Sequence, residues 1–328
     1  MGQLEVCIDD EEGQMTGCES ATLVPNGART TGAAVGLRMH EASSLLGVPA
    51  PTLRSWELRY GLPRTLRSPG GHRRYTVEAL TELGLMRDEI ATGRPPSEAA
   101  RRVRTLLDEQ NPARPMIDAI MVGSDDHDPD AIRRILEESV ASLGLAATLD
   151  NVVLPSMRLI GSWWESGRCD IGQEHFTTEV MRGWLARTTT LAPPSTSDRW
   201  VILATGPGDM HTVGVESLAA LLVTRGTGCR ILGAGTSQRI LVAAVAATSA
   251  PAVVVVSHLS TQRRSAIESI RALAATGCPT FYAGNAFLAP MSRKGVPGSY
   301  LGERITDAAA IIERCLSGGR PPVLANAV

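Results

Sequence analysis

The sequence predicts a multidomain chain with three folded parts: a small helical module ending in a hairpin, a four-helix bundle, and an α/β domain on a parallel sheet. Three observations predict this order. Two short helical segments lead into a basic hairpin near residue 70, helical periodicity runs from 115 to about 191, and apolar strand-like runs then alternate with helical segments. A chain of 328 residues with 43% hydrophobic residues is long enough for more than one core.

Charge separates the beginning of the chain from the part that follows. Residues 1–34 carry six acids and one arginine, whereas residues 37–104 carry twelve arginines and seven acids. The first segment has no hydrophobic period and is predicted to be a disordered acidic tail. The basic excess of the second favours a polyanion partner.

Composition also bears on the compartment. We find no apolar run of eighteen residues and no secretory leader, which predicts a cytoplasmic protein without a membrane partner. The six cysteines show neither a Cys-x-x-Cys pair nor zinc spacing, so we expect scattered reduced thiols.

The first folded part begins with two short helices joined by a tight turn. Residues 39–46 have amphipathic spacing, Gly47-Val48 forms the turn, and Pro51 opens a second helix that ends at Tyr60. Such a pair is a helix-turn-helix. Leu53, Trp56 and Leu58 are expected to pack or stack at the base of the second helix. The residues expected to face outward, where arginine can reach phosphates or guanine edges, are Thr52, Arg54, Ser55 and Arg59.

The residues after the second helix predict a wing. Pro69-Gly70-Gly71 suits the tip of a hairpin, and basic residues flank it on both sides. The candidate DNA contacts on this hairpin are Arg67, His72, Arg73, Arg74 and Tyr75.

The ordered string from Thr52 to Tyr75 resembles the winged helix-turn-helix of the MerR family of transcription regulators. The resemblance covers roughly residues 37 to 105, and we assign the domain to 35–107. It implies a dimer that binds pseudo-palindromic double-stranded operator DNA.

A short constellation follows the first strand of the α/β part. Asp209-x-His211-x-x-Gly214 lies between a buried strand over 200–205 and a helical segment, and Ser257-x-Leu259 follows the apolar run over 252–256. A histidine two residues after an aspartate can bond that carboxylate through one ring nitrogen and keep the other as a metal ligand. Ser257 is expected at the carboxyl edge of the sheet, where such folds bind ligands.

This pattern resembles the base-off cobalamin-binding domain of corrinoid proteins, which has a Rossmann-like (flavodoxin-like) fold. The resemblance implies that His211 is the lower cobalt ligand and that Ser257 and Gly284 line the pocket of the nucleotide tail. Ala283 stands where that family has a first glycine, and its methyl is expected to narrow this pocket without closing it. We assign the domain to 198–320, followed by a tail over 321–328.

The intervening helical part, assigned to 112–192 as a four-helix-bundle cap, contains the arrangement Trp164-x9-Glu174-His175. With the two flanking parts, it resembles the CarH/LitR family of light-responsive MerR-type repressors. The resemblance implies that Trp164 covers the adenosyl group above cobalt and that Glu174 touches the ribose or a protomer contact. His175 would become the upper cobalt ligand after photolysis. The sequence leaves open whether Trp163 or Trp164 lies nearer the ligand.

The resulting hypothesis is a light-responsive repressor that binds adenosylcobalamin, assembles on operator DNA as a tetramer built from dimers in the dark, and releases it on illumination. Two alternatives stay open: a light-independent cobalamin-sensing regulator, and a corrinoid methyl-transfer protein. The wing argues against the second, since a methyl shuttle has no use for a DNA reader. No nucleophile arrangement, paired-carboxylate site or phosphate-binding loop is present, so we do not expect an enzyme.

Overall fold

The computed structural model describes residues 36–63, 65–67, 71–195 and 200–318. The predicted tails over 1–34 and 321–328 and the hairpin tip Pro69-Gly70 lie outside these residues. No helix in the described ranges is long and apolar enough to cross a membrane.

The first module is a helix-turn-helix followed by a small hairpin and two longer helices, which confirms the predicted order. Gly47 and Gly61 end the first two helices with φ angles of 65° and 69°, a conformation that glycine adopts without strain. Leu53 and Trp56 are buried as predicted, whereas Leu58 is 36% exposed and does not join the core. The elements are α1 (Met39–Leu46), α2 (Ala50–Tyr60), the antiparallel strands β1 (Leu66–Arg67) and β2 (Arg73–Arg74), α3 (Val77–Ala91) and α4 (Pro96–Glu109).

The middle of the chain forms the predicted helical bundle. One of its helical runs is interrupted by a single π-helical stretch, Leu149–Val153, which widens the backbone between two α-helical pieces. The α-helices of the bundle are α5 (Arg114–Asp125), α6 (Pro129–Leu143), α7 (Leu145–Thr148), α8 (Leu154–Glu165) and α9 (Ile171–Leu191).

The last part is a five-stranded parallel sheet with helices on both faces. The strand order β4-β3-β5-β6-β7 corresponds to 2-1-3-4-5 within the domain, the flavodoxin-like order. The apolar run over 252–256 contains β5, the middle strand of the sheet. The strands are β3 (Val201–Thr205), β4 (Cys229–Gly233), β5 (Val253–Val256), β6 (Thr280–Ala283) and β7 (Ser299–Tyr300). The helices are α10 (Val213–Thr224), α11 (Gln238–Thr248), α12 (Arg263–Ala274) and α13 (Ile305–Leu316).

The bundle and one face of this sheet share a single apolar core. Trp184 and Leu185 of α9 belong to the same buried cluster as Leu218 and Leu222 of α10. The opposite face of the sheet has its own core beneath α11 and α12, and the first module has a third. Because apolar burial contributes roughly 25 cal/mol per Å², the shared core holds the bundle against the sheet.

A buried carboxylate ties the π-helical stretch to the last helix. Asp150 is 8% exposed and accepts hydrogen bonds from the backbone N–H groups of Ile305, at 2.6 Å, and Thr306, at 3.3 Å. The Thr306 hydroxyl donates to the same carboxylate at 2.5 Å, and Arg304 lies 3.3 Å away. The first amides of α13 therefore receive their cap from the bundle instead of from their own chain segment.

Candidate cofactor and nucleic-acid sites

The loop after β3 brings the predicted aspartate and histidine together. Asp209 is fully buried, and its Oδ1 lies 2.8 Å from Nδ1 of His211 and accepts the backbone N–H of His211 at 3.0 Å. The His211 side chain is 56% exposed. Because Nδ1 is occupied by the carboxylate, Nε2 is the nitrogen left to bind a metal from the open side.

The surroundings of Asp209 keep its carboxylate ionised. Burial alone would raise its pKa, but the His211 imidazole, the nearby His258 imidazole and the backbone N–H groups of both histidines outweigh burial and hold the pKa far below its ordinary range. The bond to Asp209 raises the pKa of His211, burial opposes this, and the charges of Asp209 and Glu174 add to the rise.

Position 258 supplies a third group that sequence reasoning missed. The backbone N–H of His258 donates to Oδ2 of Asp209, and the His258 ring lies with its centroid 5.5 Å from that of His211. The sequence contained the information needed to find His258. It follows β5 almost directly, and because β3 and β5 are adjacent parallel strands, it must lie at the same edge of the sheet as the loop after β3.

The predicted tail-pocket residues adjoin this loop. The Ser257 hydroxyl is buried and has no hydrogen-bond partner in the part of the chain that the structure describes, and Gly284 has a φ of 102°. A Cβ on Gly284 would lie 2.2 Å from the Ser257 carbonyl oxygen, so only glycine fits. Gly214 is the second residue of α10, where a Cβ would have only ordinary contact with His258, and Leu259 is 42% exposed. Ala283 is half-buried and packs against the shared core of the bundle and sheet.

The two tryptophans of the cap differ sharply in exposure. Trp163 is 9% exposed, belongs to the shared core and carries the Arg168 guanidinium 3.7 Å from its ring centroid. Trp164 is 49% exposed. An exposed indole has apolar area free to cover a ligand, whereas the buried one already fills the core.

Glu174 and His175 occupy the first turn of α9. Glu174 is half-buried and accepts a hydrogen bond from the Thr178 hydroxyl at 2.9 Å. His175 is 71% exposed at its side chain, and its Nε2 lies 3.7 Å from the Glu174 carboxylate. Glu174 also acts on His211 through its charge.

A buried polar network, which the sequence did not indicate, holds this end of α9. Gln173 donates through its side-chain amide to Asp125 at 2.6 Å and to Ser124 at 3.2 Å. Ser124 in turn lies 2.6 Å from the Thr177 hydroxyl. Because unsatisfied buried polar groups are costly, the network fixes the turn that carries Glu174 and His175.

The predicted DNA-reading residues of α2 lie on its outer side. Arg54 and Arg59 are exposed, and Thr52 and Ser55 are half-buried. His72 on the hairpin is exposed. Two exposed guanidinium groups on the second helix suit contact with phosphates or with base edges in a major groove.

Other hairpin residues are less exposed than His72, and one of them, Tyr75, is buried. Arg73 pairs with Glu57 at 2.5 Å, and Arg74 is half-buried. Tyr75 is 1% exposed, its hydroxyl donates to the sulfur of Met39, and its backbone pairs with Leu37. Its ring is thus part of the module's core and is not available to DNA, because successive residues of a strand point to opposite faces. The side chain of Arg67 lies outside the described part of the chain.

Two protein families match parts of this chain. The MerR HTH family of regulatory proteins matches residues 37–106, and a B12-binding domain family matches residues 124–188. The first covers the helix-turn-helix and its hairpin, and the second covers most of the bundle. The same chain therefore carries a DNA-binding module and a cobalamin-binding module.

Solved corrinoid proteins are similar to about three fifths of the chain. The monomethylamine corrinoid protein of Methanosarcina barkeri is 13% identical, with a TM-score of 0.49 over 61% of this chain and 98% of that protein. A cobalamin-binding protein of Desulfitobacterium hafniense is 20% identical, with a TM-score of 0.32 over 61% of this chain and 98% of that protein.

Two repressors of Myxococcus xanthus are similar over longer stretches. The HTH-type transcriptional repressor CarA is 29% identical over 205 residues, which are 61% of this chain and 69% of that repressor. The HTH-type transcriptional repressor CarH is 30% identical over 211 residues, which are 59% of this chain and 69% of that repressor. Since it is 30% identical to CarH and covers more than two thirds of that repressor, the protein belongs to the CarH family of transcriptional repressors.

Proposed function

We propose that this protein is a light-responsive repressor that binds adenosylcobalamin, assembles on operator DNA in the dark and releases the DNA on illumination. The observation that carries the proposal is the pair of Asp209 and His211, in which the carboxylate holds Nδ1 at 2.8 Å and leaves Nε2 of a half-exposed imidazole open, in a domain whose sheet shares one core with the bundle. A flat cofactor held by His211 would meet the cap residues on its other face.

The residues present fit cobalamin. His211 has one nitrogen free for cobalt, and Ser257 has a buried hydroxyl with no hydrogen-bond partner among the described residues. Gly284 packs so closely on the Ser257 backbone that no side chain fits, which keeps this part of the loop narrow. In the proposal His211 holds the cobalt from below, and Ser257 and Gly284 line the space for the displaced nucleotide tail, with Asp209, Gly214 and Leu259 beside them. When bound, adenosylcobalamin supplies a cobalt–carbon bond that light can break.

The upper-face roles fall on Trp164, Glu174 and His175. Trp164 offers an uncovered indole to the adenosyl group, and Glu174 offers a carboxylate to the ribose hydroxyls or to a neighbouring protomer. His175, with a largely exposed imidazole, is the candidate upper ligand after illumination. None of these groups is committed to the apolar core, so each can change its partner without unfolding the bundle.

Assembly would then convert a local change into loss of DNA binding. Joining several DNA-binding modules in one assembly raises its affinity for an operator by roughly 100- to 10,000-fold, because each further module binds at a high effective concentration. Moving a population from mostly bound to mostly free requires about 5.5 kcal/mol of differential stabilisation. A contact that His175 makes in only one of the two states supplies part of this difference.

The test is reconstitution of the full chain with adenosylcobalamin in the dark, followed by green light. We expect the absorption spectrum, the oligomeric mass and the affinity for a duplex selected with the dark protein all to change on illumination. A spectrum that changes while mass and DNA affinity do not would overturn the light-switch proposal. Equal DNA affinity with methylcobalamin and hydroxocobalamin would instead establish the light-independent cobalamin sensor.

A further inference from the structure

The imidazole of His258 is not explained by cobalamin binding. The backbone N–H of His258 already satisfies Oδ2 of Asp209, and this bond would exist with any residue except proline at this position. The His258 side chain is 21% exposed, and its buried Nδ1 has no hydrogen-bond partner within the described ranges and lies 3.6 Å from Oδ2 of Asp209. A buried ring nitrogen without a partner is costly unless another group satisfies it.

Two imidazoles and one carboxylate meet at this point. Ligand atoms of Asp209, His211 and His258 all lie within 4.8 Å of one another. The separations from the carboxylate are 2.8 Å to Nδ1 of His211 and 3.6 Å to Nδ1 of His258. Zinc binds imidazole and carboxylate at about 2.0–2.2 Å, which places the ligand atoms of a tetrahedral site about 3.3 Å apart. The two separations bracket that value.

We propose that the protein free of corrinoid binds a divalent transition-metal ion, of the zinc class, through Asp209, His211 and His258. The buried carboxylate supplies negative charge, and Nδ1 of His258 gains the partner it lacks. The three protein ligands leave the fourth position of a tetrahedral ion for water. A set of two histidines and one carboxylate with an open position suits zinc and its neighbours in the first transition row.

This metal site and the proposed cobalamin site cannot use His211 at the same time. To bind cobalt through Nε2, His211 must keep its proton on Nδ1 and donate it to Asp209. To bind a divalent ion through Nδ1, neutral His211 must carry its proton on Nε2. The ion would therefore prevent His211 from binding cobalt. This competition rests on the proposed function, whereas the metal site itself does not.

Metal binding itself is tested without corrinoid. Untagged full-length apoprotein is titrated with Zn²⁺ by calorimetry, and with Co²⁺ as a spectroscopic probe. We expect one ion per chain and a loss of affinity of at least roughly 100-fold in His258→Gln. The matched control is His40→Gln, because His40 is an exposed histidine on α1, and its affinity should equal that of wild type. No binding by wild type, or equal affinity in His258→Gln, would overturn the site.

Competition is tested by titrating hydroxocobalamin with and without Zn²⁺. We expect zinc to raise the apparent Kd for the corrinoid in wild type in proportion to zinc occupancy, and to have no such effect in His258→Gln. Zinc that binds without competing would overturn the shared use of His211. A wild type that binds zinc but never takes up hydroxocobalamin would refute the proposed function and leave the metal site standing.

Discussion

The loop below the proposed cofactor and the cap above it differ in how far they are organised before any ligand arrives. Asp209 is fully buried and fixes His211 through both its ring and its backbone, while His258 closes the other side. On the cap, Trp164 and His175 are largely exposed. A side chain that is already held in place, such as His211, suits a permanent ligand, because the entropy lost in ordering it is lost when the protein folds and not when the cofactor binds. Exposed side chains such as Trp164 and His175 suit a site whose contacts change.

The largest effect on stability and on corrinoid binding is expected from adding a methyl group at Gly284. Gly284→Ala places a methyl 2.2 Å from the Ser257 carbonyl oxygen in a residue with a φ of 102°. Strain and overpacking together should cost roughly 4 kcal/mol in the free energy of unfolding, measured by urea denaturation, and should abolish corrinoid uptake. Gly302→Ala is the control, since Gly302 has a φ of 87° but nothing within 4 Å. Equal stability of the two variants would contradict the close packing at Gly284.

Removing the anchor should have the next largest effect. His211→Ala should weaken cobalamin binding roughly 100-fold, or about 2.8 kcal/mol, and remove the spectrum of a histidine-coordinated cobalt. Absorption titration in the dark measures both, with His40→Ala as the unaffected control. If His211→Ala keeps a histidine-coordinated spectrum, the anchor is another imidazole, and His258 is the nearest candidate.

The two tryptophans sharpen the comparison at the cap. Trp164→Ala should leave thermal stability nearly unchanged but reduce the preference for adenosylcobalamin over methylcobalamin about tenfold, which is about 1.4 kcal/mol. Trp163→Ala should instead destabilise the bundle by about 3 kcal/mol, because its ring is part of the core. Competitive titration and thermal melts separate the two effects. A Trp164→Ala variant with unchanged preference would show that the exposed ring does not cover the adenosyl group.

The smallest effect on dark binding is expected at His175. Its side chain is 71% exposed, and within the described residues its one recorded ion-pair contact is with Glu174. His175→Gln should therefore change the affinity for cobalamin in the dark by less than about threefold, or about 0.7 kcal/mol. The light-driven change in oligomeric mass should nevertheless disappear. Mass measured before and after illumination, with His127→Gln as the matched bundle histidine, provides the test. A full light response in His175→Gln would assign the upper ligand to another group.

Local spacing explains which site residues the sequence could predict. Asp209 and His211 are two residues apart in one loop, so their bond follows from chain geometry, and Ser257 reaches the same edge because β3 and β5 are adjacent parallel strands. Tyr75 was predicted to contact DNA because it ends a basic stretch, but its side chain is buried. It follows β2, pairs with Leu37 and points inward, a result that the two-residue period of a strand could have indicated.

Long-range contacts were beyond the sequence. Gln173 meets Ser124 and Asp125 across two helices, and no local period records such a pairing. The same holds for the hydrogen bonds of Asp150 to residues more than 150 positions away. The sequence predicted the three folded parts and the contact between Asp209 and His211, while the hydrogen bonds that hold the start of α9 depended on how the helices pack.

The hydrogen bonds that Asp150 accepts make two backbone amides sensitive to whether the bundle stays packed on the sheet. The N–H groups of Ile305 and Thr306 are protected from exchange with solvent deuterium by a carboxylate that belongs to the bundle, not by their own helix. If the bundle lifts from the sheet, these amides exchange while the central strands stay protected. Hydrogen–deuterium exchange at these two positions can therefore time the separation of cap and sheet in a chain that carries no engineered label.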